Sequence, residues 1–242
     1  MGKWFQWFLL SQLTGSPLGA LAILVVAWWA LDRFTLRILP DPLRGFGRWR
    51  RADKLRRQIA DNPADRRARM ELADILVQQR RYQAAYEILG PNLAAKDNDP
   101  DTLFLYALAA RGCGKQEEAE SLLSEVHASA PDFKLSQVKL ELGEVLLKKG
   151  EAASAAALLA QYLEKRRSSV RARVLLAQAK EKLGDLSLAK QLKSEAWATY
   201  VGLPRYLRRD ERLWAWRAKP GRPLLYAGLA VAVGVASALA RL

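Results

Sequence analysis

The sequence predicts an all-helical protein in which a solenoid of about four helical hairpins is framed by two transmembrane helices. Two observations carry that prediction. The first is a recurring pair of small residues, one twelve positions ahead of the other: Ala73 and Ala85, Ala107 and Ala119, Gly143 and Ala155, Ala177 and Ala189. The leading members lie 34, 36 and 34 residues apart, which is the period of stacked helical hairpins. The second is a pair of uncharged apolar runs near the ends, Pro17 to Leu31 and Leu224 to Ala240.

Two antiparallel helices cross closely only where neither projects a long side chain, so a small residue within each meets the demand. The surroundings agree. Leu72, Tyr106, Leu142 and Leu176 precede the first small residue of each pair, and Leu89, Leu123 and Leu159 follow the second by four positions. Gly114, Gly150 and Gly184 stand seven residues after the first small one, where the first helix must stop and turn. Arg80 holds that place in the first unit. An irregular helical bundle is the alternative, and three near-equal periods argue against it.

On these residues the chain resembles the tetratricopeptide family over residues 66–203. Pro131 falls where that family carries its closing proline, with Pro100 and Pro204 a few residues late. The family's early tryptophan is replaced by Arg69, Leu103, Lys139 and Arg173, and the fourth unit has Lys180 and Lys193 at apolar places. The resemblance implies that the first helix of each repeat lines a concave, protein-binding face. Transferred to this chain, that face carries Met70, Asp74, Phe104, Leu108, Arg111, Leu140, Glu144 and Gln178, with Leu147, Val174 and Glu181 beside them. The family's clamp of lysines and asparagines for a terminal carboxylate is missing from these places. An apolar stripe with acidic neighbours implies an apolar or basic ligand, and the competing reading is that these residues pack between repeats.

The apolar runs divide the chain further. Residues 1–40 form an amino-terminal membrane anchor with its span at 17–31, and residues 223–242 form a carboxy-terminal transmembrane helix. The second run, 17 residues, reaches the usual lower length for a bilayer span. The first, 15 residues, covers about 22 Å as a helix and is too short alone. Either Trp4 to Leu13 extends it in one helix kinked at Pro17, or Thr14-Gly15-Ser16-Pro17 separates an interfacial aromatic segment from a short span. The break is favoured. Cleavage as a signal peptide is disfavoured, because only Lys3 precedes the apolar run while arginines follow it. Gly228, Ala232 and Ala236 give the second span a small-residue stripe suited to close helix packing with itself or another span.

The net charge of +14 does not read as a nucleic-acid footprint, because of where it sits. Residues 33–57 hold nine basic and two acidic side chains and residues 205–222 hold seven and two, leaving the repeat body nearly neutral. Both blocks abut a span. They set topology by the positive-inside rule and rest on anionic lipid headgroups, at about 1 kcal/mol per basic residue. Arg48, Arg50, Arg51, Lys54, Arg56 and Arg57 form the denser block. The rule places the repeats in the cytoplasm and both termini outside, as an integral protein of a bacterial inner membrane. Residues 41–65 read as a basic linker, 41–51, followed by a short helix from Ala52 to Ala60. Residues 204–222 read as a capping helix whose tryptophans suit the membrane interface.

The sequence carries no motif of catalytic or metal-binding chemistry. One histidine, His127, and one cysteine, Cys113, cannot build a four-ligand zinc site, and no phosphate loop or nucleophile elbow occurs. No enzyme, cofactor, metal or nucleic acid is expected. The expected function is a membrane-tethered scaffold or adaptor that holds a partner protein. The alternative is a membrane-organising structural protein that binds anionic lipid and no peptide.

Overall fold

The computed structural model describes residues 42–95, 98–134 and 136–225, with Leu18, Gly19, Ile23 and Gly228 as isolated positions. The chain divides into two compact units, Met1–Trp49 and Arg50–Leu242. Both uncharged runs lie almost wholly outside the described residues, so the expected spans and the Gly228, Ala232, Ala236 stripe are not placed by the structure. Among the described residues no helix is long and apolar enough to cross a membrane.

Ten helices are described: α1 Pro42–Asp61, α2 Arg66–Gln78, α3 Tyr82–Ala94, α4 Pro100–Gly112, α5 Gln116–Ser129, α6 Gln137–Lys149, α7 Ala152–Lys165, α8 Val170–Lys182, α9 Leu186–Gly202 and α10 Arg205–Ala218. Helices α2 to α9 are four hairpins at the expected period. The fourth is built like the others, and its lysine at an apolar place, Lys193, bonds across the hairpin to Glu181 at 2.6 Å. The reading of 41–51 as a linker is corrected, since α1 begins at Pro42 and runs through Gly45 and Gly47. Proline suits a first helical position, and a glycine within a helix costs only about 1 kcal/mol.

The hairpins begin and end for local reasons. Asp65, Asp99 and Ser169 accept hydrogen bonds from the backbone N–H groups of Ala68, Thr102 and Ala172, capping α2, α4 and α8. Each first helix then ends in the same way. Arg81, Lys115, Glu151 and Asp185 donate their N–H to the carbonyls of Leu76, Ala110, Leu146 and Lys180 at 2.9–3.0 Å, the long bond of a Schellman turn. That turn needs a left-handed residue, which is Gly114, Gly150 or Gly184 in three repeats and Arg80, at φ 60°, in the first. A side chain in that conformation costs about 1–2 kcal/mol. Arg80→Gly is therefore expected to stabilise the protein by up to about 1 kcal/mol, after the greater unfolded-state freedom of glycine is subtracted. The check is a rise in thermal midpoint, and a fall would contradict the strain.

Each alanine of the small pairs is fully buried, and a Cβ added to Gly143 would stand 2.9 Å from Leu159 Cγ. The two extra residues of the longer period fall between α5 and α6. There Phe133 meets the Phe104 ring edge-on at 5.6 Å, and Lys134 pairs with Asp101 at 2.7 Å. Among the described residues, the backbones of first helices of successive repeats approach one another more closely than those of second helices, which meet through side chains such as Tyr86 and Glu118, so the first helices form the inner layer of the curve. At the far end α10 packs on both α8 and α9. Its Ala215 is buried with Val170, Val174, Ala196 and Leu203. At the near end Ala52 and Leu55 of α1 join the main core.

Candidate partner-binding groove

The inner layer brings the expected site residues to one side of the solenoid, but not all of them to a surface. Phe104, 3% exposed, and Leu140, 4% exposed, belong to the hydrophobic core. For those two the packing alternative describes the structure: Phe133 covers Phe104, and Leu140 is enclosed by the core. Met70 and Leu108 are partly buried against the same core. Asp74 is exposed and accepts from Gln78 at 2.8 Å. Arg111 and Glu144 are drawn into an ionic cluster, and Gln178 lines an open groove.

The ionic cluster joins three repeats. Glu141 of α6, 3% exposed, accepts two bonds from Arg171 of α8, Nη1 to Oε1 at 2.7 Å and Nη2 to Oε2 at 2.8 Å. It also accepts one from Arg111 of α4. Glu144, one turn further along α6, accepts from Arg171 and lies 3.4 Å from Arg111. Burial alone would raise the carboxyl of Glu141, but the attraction of Arg171 and then Arg111, with their hydrogen bonds, outweighs it and holds the group at about 2. Glu144 is lowered by the same balance, and Arg171, although burial opposes its charge, is raised by Glu141. Two carboxylates and two guanidiniums cancel. Of the acidic neighbours expected to attract a basic ligand, Glu144 is thus already neutralised, while Asp74 stays exposed.

Next to the cluster, a groove of about 380 Å³ opens between α6, α8 and α10. Leu147, Leu175 and Trp214 give it an apolar floor. Lys148, Lys182 and Arg217 stand around them. Lys182 donates to the carbonyl of Leu147 at 2.7 Å, and the Arg217 guanidinium lies 4.3 Å from the centre of the Trp214 ring. Glu181, the other acid of the lining, is engaged by Lys193. Trp214 was expected at a membrane interface. It instead faces inward, with the Arg171 guanidinium 5.6 Å from its ring centre. Sequence reasoning missed Glu141, Arg171 and Trp214 as parts of this region. Glu141 and Arg171 are thirty residues apart, close to one repeat period, and opposite charges at that separation were the available signal.

Outside the groove, Arg48, Arg50, Arg51, Lys54, Arg56 and Arg57 are all exposed along α1. Phe46 and Trp49 stack at 5.9 Å in the amino-terminal part of that helix. The Cys113 thiol donates to Gln83 Oε1 at 3.3 Å, and burial pushes its pKa up, the opposite of an activated nucleophile. Among the described residues no group of His, Cys, Asp and Glu could hold a metal ion.

Solved structures match this arrangement of hairpins. A crystal structure of MamA protein is 15% identical, with a TM-score of 0.54, over 61% of this chain and 80% of the other. MamA AMB-1 is 18% identical, also at 0.54, over 66% of this chain and 98% of the other. A tetratricopeptide repeat protein from Parabacteroides merdae is 18% identical, at 0.52, over 69% of this chain and 66% of the other. The fold is that of a tetratricopeptide solenoid. At these identities the likeness is one of fold. No protein-family model and no curated protein matches the chain.

Proposed function

We propose that this protein is a membrane-tethered scaffold that seats a segment of a partner protein in the groove between α6, α8 and α10. The observation that carries the reading is the groove itself, in which an open apolar floor of Leu147, Leu175 and Trp214 sits beside a cluster of bonded charges. Buried aromatic anchors with a charged rim are where binding energy concentrates at protein interfaces. Tethering is supported by the two uncharged runs and their cationic flanks. By the positive-inside rule the repeats face the cytoplasm and both termini lie across the membrane. In this reading the exposed cations of α1 rest on anionic lipid, and the repeats bind rather than catalyse.

The test uses the full chain in its own membrane, with a photo-crosslinking residue at Gln178 in the groove or at Lys190 on the exposed side of α9. A discrete protein adduct is expected from position 178 and not from 190. Arg217→Glu, which reverses a charge on the rim of the groove, is expected to diminish that adduct severalfold. Equal adducts from both positions, or none from 178, would refute the groove as a binding site.

A further inference from the structure

The helix that closes the solenoid has two faces, and the groove uses only one of them. Inward, Arg208, Glu211, Ala215 and Ala218 follow helical spacing. Ala215 is fully buried, Glu211 accepts from the Arg171 backbone N–H at 3.0 Å, and Arg208 caps the preceding turn through the carbonyls of Leu203 and Val201. The opposite face holds Tyr206, Arg209, Asp210 and Leu213, all exposed. Tyr206 is 66% and Leu213 57% exposed. Among the described residues nothing covers this stripe.

We propose that the outer face of α10 lies in the headgroup layer of an anionic bilayer, with Tyr206 and Leu213 inserted among the lipids. The inference rests on the tethering reading and adds a second membrane contact to it. Three features select lipid as the occupant. The sequence from 205 to 222 holds seven basic and two acidic residues, and one of those acids, Glu211, is turned inward, so the outward charge is cationic with Asp210 as its one opposing acid. Aromatic and leucine side chains interleave with those cations, the pattern of a helix lying in the interface plane. The chain then continues without a long loop into the uncharged run, where Leu224 and Leu225 are already exposed at 72% and 60%. A span starting there keeps α10 within reach of the surface. The tryptophans are not the anchors, because Trp214 lines the groove and Trp216 is half-buried. One helix thus closes the groove with one face and meets the bilayer with the other.

The test is spin-label depth in the full chain, reconstituted in vesicles of phosphatidylglycerol and phosphatidylcholine, with Cys113→Ser as background. Nitroxides are placed by Tyr206→Cys, Leu213→Cys and, for reference, Lys190→Cys. These positions are exposed, so the substitutions leave the packing alone, and circular dichroism confirms retained helicity. Labels at 206 and 213 are expected to collide severalfold less with a water-soluble nickel chelate than the label at 190, and more with oxygen. That is the signature of burial about 5–10 Å into the headgroup region. Nickel access at 206 and 213 equal to the reference would overturn the inference, and equal protection in phosphatidylcholine alone would overturn its anionic part. Alkaline carbonate extraction of the same vesicles reports on tethering separately. A chain that resists extraction yet shows aqueous labels refutes only the interfacial helix, whereas an extracted chain refutes tethering and the helix's anchorage with it.

Discussion

Replacing Glu141 with alanine is expected to lower the unfolding free energy by about 3–5 kcal/mol, the usual cost of removing one partner from a buried ion pair. The argument lies in what remains. Arg111 and Arg171 would share one carboxylate, Glu144, in a site where the Arg171 side chain is only 20% exposed, leaving one positive charge poorly solvated and unpaired. The double variant Glu141→Leu, Arg171→Met removes one charge of each sign and leaves Arg111 to Glu144, so it should recover most of the loss. Denaturant unfolding of the full chain in detergent, followed by helical circular dichroism, separates these outcomes. A Glu141→Ala midpoint indistinguishable from the parent would show that the cluster contributes nothing to stability.

The same carboxylate gives the protein an acid limit. Its pKa is held at about 2 in the folded chain, against 4.5 for the ordinary group. A folded value below the unfolded one means that the unfolded chain takes up the proton first, so the stabilisation is complete above about pH 5. It is lost as pH falls from there towards 2, and amounts to about 3 kcal/mol. Glu144, also lowered, works in the same direction. Glu141→Ala should therefore flatten the acid side of the stability profile while leaving its neutral side lower throughout.

How much of this was readable in advance follows from how each constraint is written in the chain. Close packing within a hairpin demands two small residues a fixed number of positions apart, so Ala107 and Ala119 announce their contact by spacing alone. The Schellman turn demands a left-handed residue at a fixed place, and the arginine at position 80 stands there as the glycines do. The contact of Glu141 with Arg171 depends instead on how one repeat is rotated against the next, so the near-period separation of two opposite charges is a signal shared by pairs that do not meet. Trp214 illustrates the same limit. A tryptophan in a basic helix near an apolar run suits both a membrane interface and a groove wall, and only the seating of Ala215 against Val170 and Val174 decides which way it points. Phe104 was placed on the inner face, but Phe133, from the longer linker, covers it. The membrane runs are legible as composition, and they lie almost wholly outside the described residues.

Gly112→Ala is expected to destabilise the protein by about 1–3 kcal/mol, the range for overpacking, although alanine is the better helix former. Gly112 is the last residue of α4. A Cβ built there would stand well under 3.0 Å from Cγ, Cδ1 and Cδ2 of Tyr82, the first residue of α3 in the preceding repeat. Atoms at the root of the ring cannot yield by a small swing, so the tyrosine must change rotamer and leave, or the two repeats must part. Helix propensity works the other way by at most about 1 kcal/mol, and less at a helix end. The steric term therefore decides the sign. Removing the ring should reverse it: in a Tyr82→Ala background, Gly112→Ala meets no obstacle and should be neutral or stabilising. The double-mutant cycle is then expected to show a coupling of more than about 1 kcal/mol, as residues in direct contact do. Additive effects would mean that the ring does not rest on Gly112 and that the first and second repeats meet differently from the packing described.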